Sequence, residues 1–171
     1  MNALEPGVAG RAAELRLAFD SAFAEPVRLD TTLREDLLAV RIETQAFAIR
    51  LSEISGLFAD KKITPVPGGH AALCGIAGFR GAIVPVYDLQ VILGRPHASA
   101  AAPPRWLVIA AAAPVGLAFA AFEGQLRIAC EAIVPQPPGA ETRSYAREFV
   151  GARNFVGPIL HLPSVLEAIR T

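Results

Sequence analysis

The sequence predicts an all-β domain made of two copies of one small β unit, with a helix before it and a short helix at its end. Three observations predict it. Apolar residues alternate at a period of two in short runs, the pattern of half-buried strands. Glycine and proline, 14 of each in 171 residues, punctuate those runs where the chain must turn. A pattern also recurs: Ile63-Thr64-Pro65-Val66-Pro67 is followed by Gly75 and Gly81, and Ile133-Val134-Pro135-Gln136-Pro137 by Gly151 and Gly157. The Ile-x-Pro-x-Pro order is kept, both glycine pairs have the same spacing, and Leu38 to Ile63 is nearly as long as Trp106 to Ile133. Two copies of one unit are the economical account.

Composition narrows the classes. With 53% hydrophobic and 19% charged residues, the chain is globular and long enough for one sizeable core. Lys+Arg and Asp+Glu are both 16, and no basic run exceeds Lys61-Lys62, which speaks against nucleic acid and anionic membrane as partners. Cys74 and Cys130 stand in apolar contexts without a CxxC or a secreted disulfide pattern, and read as buried, reduced thiols. Met1 to Gly10 carries Glu5 and Pro6-Gly7 in place of an apolar core, so no signal peptide is expected and the expected location is cytoplasmic.

Residues 1–30 read as a tail and an amphipathic helix. From Gly10, Leu15, Phe19 and Phe23 recur every fourth residue while Arg11, Glu14, Arg16 and Asp20 fill other faces, and Pro26 stops the helix. Such a helix packs on its own protein or docks on a partner. Residues 31–171 form the β domain. Leu38-Val40-Ile42 and Phe47-Ile49-Leu51 alternate as two strands joined around Glu43-Thr44-Gln45. A loop from Phe58 to Ala71 follows, then the stretch Leu73 to Leu89.

That stretch reads as strand, turn, strand. Gly75 and Gly81 mark positive φ or close backbone approach. Pro85 cannot donate to a central ladder and belongs at an edge or bulge. Asp88 caps the turn after the strand, and Arg80 stands at the hairpin tip, either open to a partner or folded onto a carboxylate such as Asp88 or Glu53.

A Pro/Ala/Ser linker, residues 94–105, marks the midpoint. Trp106 to Phe122 contains no charge, but it is shorter than the ~20 residues of a membrane-spanning helix, and Pro114-Val115-Gly116 sits at its centre. A buried hairpin, Trp106–Ala112 with Leu117–Phe122, is therefore preferred to a membrane insertion. With the glycine pairs superposed, Arg153 is displaced from the tip and His161 takes the place of Pro85, which leaves any tip function to the first copy. The last residues, Pro163 to Arg170, predict a short helix with Val165, Leu166 and Ile169 facing the core.

The run Gly75, Arg80, Gly81, Pro85, Asp88 and Leu89 resembles the signature of the CheW-like domain family of bacterial chemotaxis adaptors. The lead-in Ile63-Thr64-Pro65 and the segment Ala48 to Ile54, ending in Glu53-Ile54, resemble the same family, so the likeness extends from about Leu37 to the C-terminus. It implies two five-stranded SH3-like β-barrels sharing a core: a first barrel mainly in residues 36–93 and a second mainly in 106–163, an arrangement that admits chain exchange between the barrels. It also implies a non-catalytic adaptor coupling the cytoplasmic tip of a methyl-accepting chemoreceptor to the regulatory domain of a CheA-type histidine kinase, in chemotaxis or pilus-type signalling. Partner contact would fall to Arg80 with Gly75 and Gly81, and to Leu51, Glu53 and Ile54. His161-Leu162-Pro163 and the Ala-rich hairpin Ala110–Ala113 depart from the family pattern.

No catalytic, cofactor or metal site is expected. The P-loop, nucleophile-elbow and dinucleotide motifs are missing. His70 and Cys74 lie about 13 Å apart if the chain between them is extended, and a metal would need further ligands. The alternative reading is a small-molecule binder or enzyme on the same double-barrel fold. It requires a concave site that holds His70, Cys74 or His161 together.

Overall fold

The computed structural model describes residues 10–11, 14–17, 19, 32–67, 70–95, 104–136 and 144–170. The chain divides into two units, Met1–Thr32 and Leu33–Thr171. In the first, the described residues between Gly10 and Phe19 are helical, and Leu15, Leu17 and Phe19 are exposed. Phe23 and Pro26, which complete the expected stripe and stop, lie outside the described residues, as do most of the 94–105 linker and Gly68-Gly69.

The second unit is mostly β. Its strands are β1 (Arg34–Ile42), β2 (Gln45–Arg50), β3 (Ile54–Ala59), β4 (Leu73–Phe79), β5 (Ala82–Asp88), β6 (Trp106–Ala110), β7 (Gly116–Phe119), β8 (Ala121–Ala129), β9 (Ile133–Pro135), β10 (Ala146–Ala152) and β11 (Phe155–Leu160). One helical turn, α1 (Leu89–Ile92), follows β5, and a helix, α2 (Leu162–Arg170), follows β11. The strands make a six-stranded sheet in the order β8-β1-β2-β11-β10-β9 and a five-stranded sheet in the order β3-β6-β7-β5-β4. Neither is a closed barrel in hydrogen bonding, for β8 and β9 edge one sheet and β3 and β4 the other.

Sheet membership does not follow the sequence copies. The hairpin β1–β2 lies in the sheet with β8 to β11, and the hairpin β6–β7 lies with β3 to β5. The sequence midpoint thus separates the two copies and not the two sheets. Between the sheets lies a cluster fed from both: Leu38, Val40, Phe47, Ile49 and Leu160 from one, Val108, Leu117 and Phe119 from the other, with Leu89, Ile92 and Val165 from the helices. Each sheet also encloses its own cluster, around Leu37, Ile128 and Ile159 in the first and Phe79, Val84 and Leu107 in the second.

This layering explains the uncharged run. In β6, Val108 joins the shared core while Leu107 and Ile109 join the five-stranded sheet's own cluster. A strand buried on both faces needs apolar residues at every position, not alternate ones. The expected hairpin forms, with its second strand ending at Phe119; Ala121 and Phe122 already belong to β8. No helix among the described residues is long and apolar enough to cross a membrane. Similarly, Leu37 to Val40 in β1 are all buried, although their sequence reads as a strand with one wet face.

The repeat is real, but its register differs from the glycine spacing. Leu73 pairs Tyr87, Gly75 pairs Val86, Ile76 pairs Pro85 and Phe79 pairs Ala82. In the second hairpin Ala146 pairs Leu160, Glu148 pairs Ile159, Phe149 pairs Pro158 and Ala152 pairs Phe155. Pro158 is therefore the counterpart of Pro85, His161 that of Asp88, and Arg153 that of Arg80. Gly151 matches Gly78, so the equal glycine spacing is coincidental and Arg153 is not displaced. The Ile-x-Pro-x-Pro match holds: Thr64 bridges Ile76, and Val134 pairs Phe149 at the equivalent place.

Pro85 lies in an internal strand, not at a sheet edge. It is tolerated because β7 pairs with β5 only from Val86 onward, leaving the backbone at residue 85 without a neighbour on that side. Arg50 fastens the six-stranded sheet from β2, donating from Nε to Glu35 Oε1 and from Nη2 to Glu148 Oε2, both at 2.6 Å.

Candidate functional site

The β4–β5 hairpin closes with two residues, Arg80 (φ 46) and Gly81 (φ 84). Two successive left-handed residues make the mirror-image turn that matches strand twist, and glycine at the second position suits it. Arg80 is the unusual member, because a left-handed side-chain-bearing residue costs about 1–2 kcal/mol. At the hairpin's base, Gly75 (φ 145) lies so close to Thr64 that a Cβ would fall 2.2 Å from the Thr64 carbonyl oxygen. Both glycines thus meet the expectation of positive φ, and Gly75 that of close approach.

Arg80 is exposed, and among the described residues no carboxylate pairs with it. The two counter-ions offered by the sequence are used elsewhere. Asp88 Oδ1 accepts from the backbone N–H groups of Gln90 (2.8 Å) and Val91 (3.3 Å), capping α1. Glu53 Oε2 accepts from the backbone N–H of Leu162 at 2.9 Å, placing a negative charge at the start of α2 where the helix dipole favours it. Truncation in Glu53→Ala is expected to lower stability by about 1 kcal/mol and to speed amide exchange in the first turns of α2, which hydrogen exchange of Val165 and Leu166 would show.

Beside Arg80 opens a cleft of about 350 Å³ whose walls include Phe58, Phe79, Val84, Ile109 and the turn from Ala111 to Pro114. Of its lining residues only Arg80 and Ser55 have polar side chains. On the other side of the same turn is a second cleft of about 320 Å³, lined by Ser52, Glu53, Leu162, Pro163 and Leu166, with Ala111 and Ala112 common to both. The small side chains that look featureless in sequence form a low partition between a cationic apolar cleft and an acidic one. An Ala run at the tip of an uncharged hairpin was the available signal.

The remaining candidates divide. Leu51 begins a single 3-10 turn, Leu51–Glu53, rather than ending a strand, and it packs with Ile54 against the shared core. Gly75 and Gly81 shape the Arg80 hairpin without offering side chains. His70 Nδ1 accepts from the backbone N–H of Ala72 at 3.1 Å, and His161 Nδ1 lies 2.8 Å from Ser164 Oγ at the start of α2. No group of three metal-binding side chains occurs among the described residues, and neither cleft is lined by His70, Cys74 or His161.

The cysteines correct the reading of two buried thiols: Cys74 is half-buried and Cys130 is exposed, because it begins a 3-10 turn after β8. Burial, with the Asp88 charge adding to it, pushes the Cys74 thiol up to about 11. At pH 7.4 that leaves about one thiolate in several thousand molecules, so a thiol reagent should consume one equivalent rapidly at Cys130 and the second very slowly. The raised value also stabilises the fold below the unfolded thiol's pKa, a contribution lost as pH rises through about 11. A Cys74→Ser variant should flatten the fall in stability above pH 9, measured by urea titration.

Comparison with known proteins places this geometry. The CheW-like domain model matches residues 36–170. Chemotaxis protein CheW of Rhizobium meliloti (strain 1021) is 27% identical over 135 residues, covering 76% of this chain and 86% of that protein. A probable chemotaxis protein CheW of Rhizobium etli is 30% identical over 105 residues, covering 60% of this chain and 66% of that protein. The crystal structure of scaffolding protein TtCheW from Thermoanaerobacter tengcongensis matches with a TM-score of 0.67 at 18% identity, over 75% of this chain and 90% of that one, a likeness of fold. With the family model spanning most of the β domain, the chain belongs to the CheW-like domain family of chemotaxis adaptors.

Proposed function

We propose that this protein is a non-catalytic, cytoplasmic coupling protein that joins the cytoplasmic tip of a methyl-accepting chemoreceptor to the regulatory domain of a CheA-type histidine kinase. The observation that carries the reading is Arg80: an exposed guanidinium, held in a left-handed turn, beside an apolar cleft and with no carboxylate partner among the described residues. A planar donor fork in that setting suits a carboxylate next to an apolar side chain on the receptor, and a lysine would not reproduce its two-pronged bond. Gly75 and Gly81 serve by fixing the hairpin. The cleft at Glu53, with Leu51 and Ile54 near it in the chain, is the surface offered to the kinase domain.

In the same reading each sheet is an SH3-like barrel left open along one seam. Support comes from the five-stranded sheet, where Phe58 on β3 and Phe79 on β4, the two edge strands, bring their rings to 4.9 Å between centroids. Signal would pass as a change in which contacts are populated, not as chemistry on this chain.

A pull-down of the whole protein against purified receptor tip and kinase regulatory domain tests this. Arg80→Ala should weaken the receptor by about tenfold or more, as expected for removing one partner of a desolvated charge pair, while kinase binding stays within twofold of wild type. Equal receptor binding by both forms would refute the assignment of Arg80.

A further inference from the structure

Along β4, an outer edge of the five-stranded sheet, the backbone is paired on the outside at only one point among the described residues. Thr64 and Ile76 exchange two backbone hydrogen bonds, at 2.8 and 2.9 Å, and the bridge goes no further. In the six-stranded sheet the equivalent edge is covered over Glu148, Phe149 and Val150 by β9. Backbone polar groups alternate along a strand: Ile76 directs its N–H and C=O off the edge toward Thr64, and Phe79 pairs inward with Ala82. Gly78 therefore directs its N–H and C=O off the edge as well, and among the described residues they meet no partner.

Around that gap lies a groove of about 430 Å³ whose lining includes Lys61, Lys62, Gly78 and Ile83. Ile83, cross-strand from Gly78, is 73% exposed. A Cβ added at Gly78 would meet nothing within 4 Å, so the floor is open. Lys61 Nζ stands 5.4 Å from the Phe58 ring centre and 5.2 Å from that of Phe79, contacts that leave its charge uncompensated. Neither lysine has a carboxylate partner among the described residues, and no acidic side chain lines the groove.

We propose that this edge takes an extended acidic segment of a partner protein as an added strand. Its backbone would pair with Gly78, its alternate side chains would lie on Ile83, and its carboxylates would face Lys61 and Lys62. Strand addition draws affinity from main-chain bonds and selectivity from alternate side chains, and an unpaired edge is a template for it. This site shares no lining residue with the Arg80 cleft, and it does not depend on the adaptor reading.

The probe is a fluorescein-labelled twelve-residue peptide of alternating valine and glutamate, titrated by polarisation with the full chain. The expected result is saturable binding that falls at least tenfold in Lys61→Glu/Lys62→Glu and at least tenfold in Gly78→Pro, which removes the edge N–H. Gly78→Ala, which keeps the N–H, should bind like wild type, and exchange of the Gly78 amide should slow when peptide is added. Circular dichroism and a urea melt confirm that each variant is folded. The proposal is overturned if the peptide does not bind, or if Gly78→Pro binds like Gly78→Ala while only the lysine changes matter. The latter would mean attraction of charge to a surface without strand addition.

Discussion

Gly75→Ala is expected to be among the most destabilising single substitutions in the β domain, lowering stability by about 3 kcal/mol or more, with the midpoint of a urea melt falling accordingly. The new Cβ would lie 2.2 Å from the Thr64 carbonyl oxygen, 2.7 Å from its carbon and 2.9 Å from Pro65 Cα. All three are backbone atoms, so no rotamer change relieves the overlap, and φ 145 adds strain of its own. Relief requires breaking the Thr64–Ile76 bridge, the one backbone pairing between the segment after β3 and β4 among the described residues. Gly81→Ala supplies the contrast: φ 84 is also left-handed, but nothing lies within 4 Å of the added carbon. Its cost should be about 1–2 kcal/mol. Equal losses for the two variants would show that conformation, not crowding by Thr64, governs Gly75.

Phe47→Ala should cost about 3–5 kcal/mol, as for a fully buried aromatic ring replaced by a methyl group. Phe47 on β2 has no exposed surface and lies in the core shared by both sheets. Trp106, the only tryptophan, lies on β6 in the other sheet, packs against the same cluster and contacts Phe122 with ring centroids 5.1 Å apart. A substitution in one sheet should therefore shift the Trp106 fluorescence transition and the circular dichroism transition by the same amount. Divergent midpoints would show that the sheets unfold separately, contrary to a shared core.

The hairpins and the repeat were legible because each rests on local chemistry: alternation, a proline or glycine at a turn, and one repeated Ile-x-Pro-x-Pro. The Asp88 cap and the faces of α2 were legible for the same reason. The sheet to which each hairpin belongs was not, since nothing within Leu38 to Ile49 records that β1 and β2 pair with β8 and β11. Strand register was likewise hidden. Gly151 and Gly157 imitate the spacing of Gly75 and Gly81, and only the pairing partners reveal that Arg153 matches Arg80. Strand β3 was concealed by Gly56, and α1 is too short to show a helical period. Arg80 stood out in sequence as a lone charge at a tip. Its neighbours in space did not, because Phe58 and Ala111 to Pro114 reach the cleft from two other segments.

The central claim, that the cleft beside Arg80 is where the receptor docks, is tested most directly by placing a photo-cross-linking side chain at Ala112, on the partition between the two clefts, and another at Arg153, the matching tip of the second hairpin. The receptor tip should cross-link to the first in the presence of the kinase domain and fail to cross-link to the second. Cross-linking from position 153 alone would move the receptor to the other sheet and contradict the account.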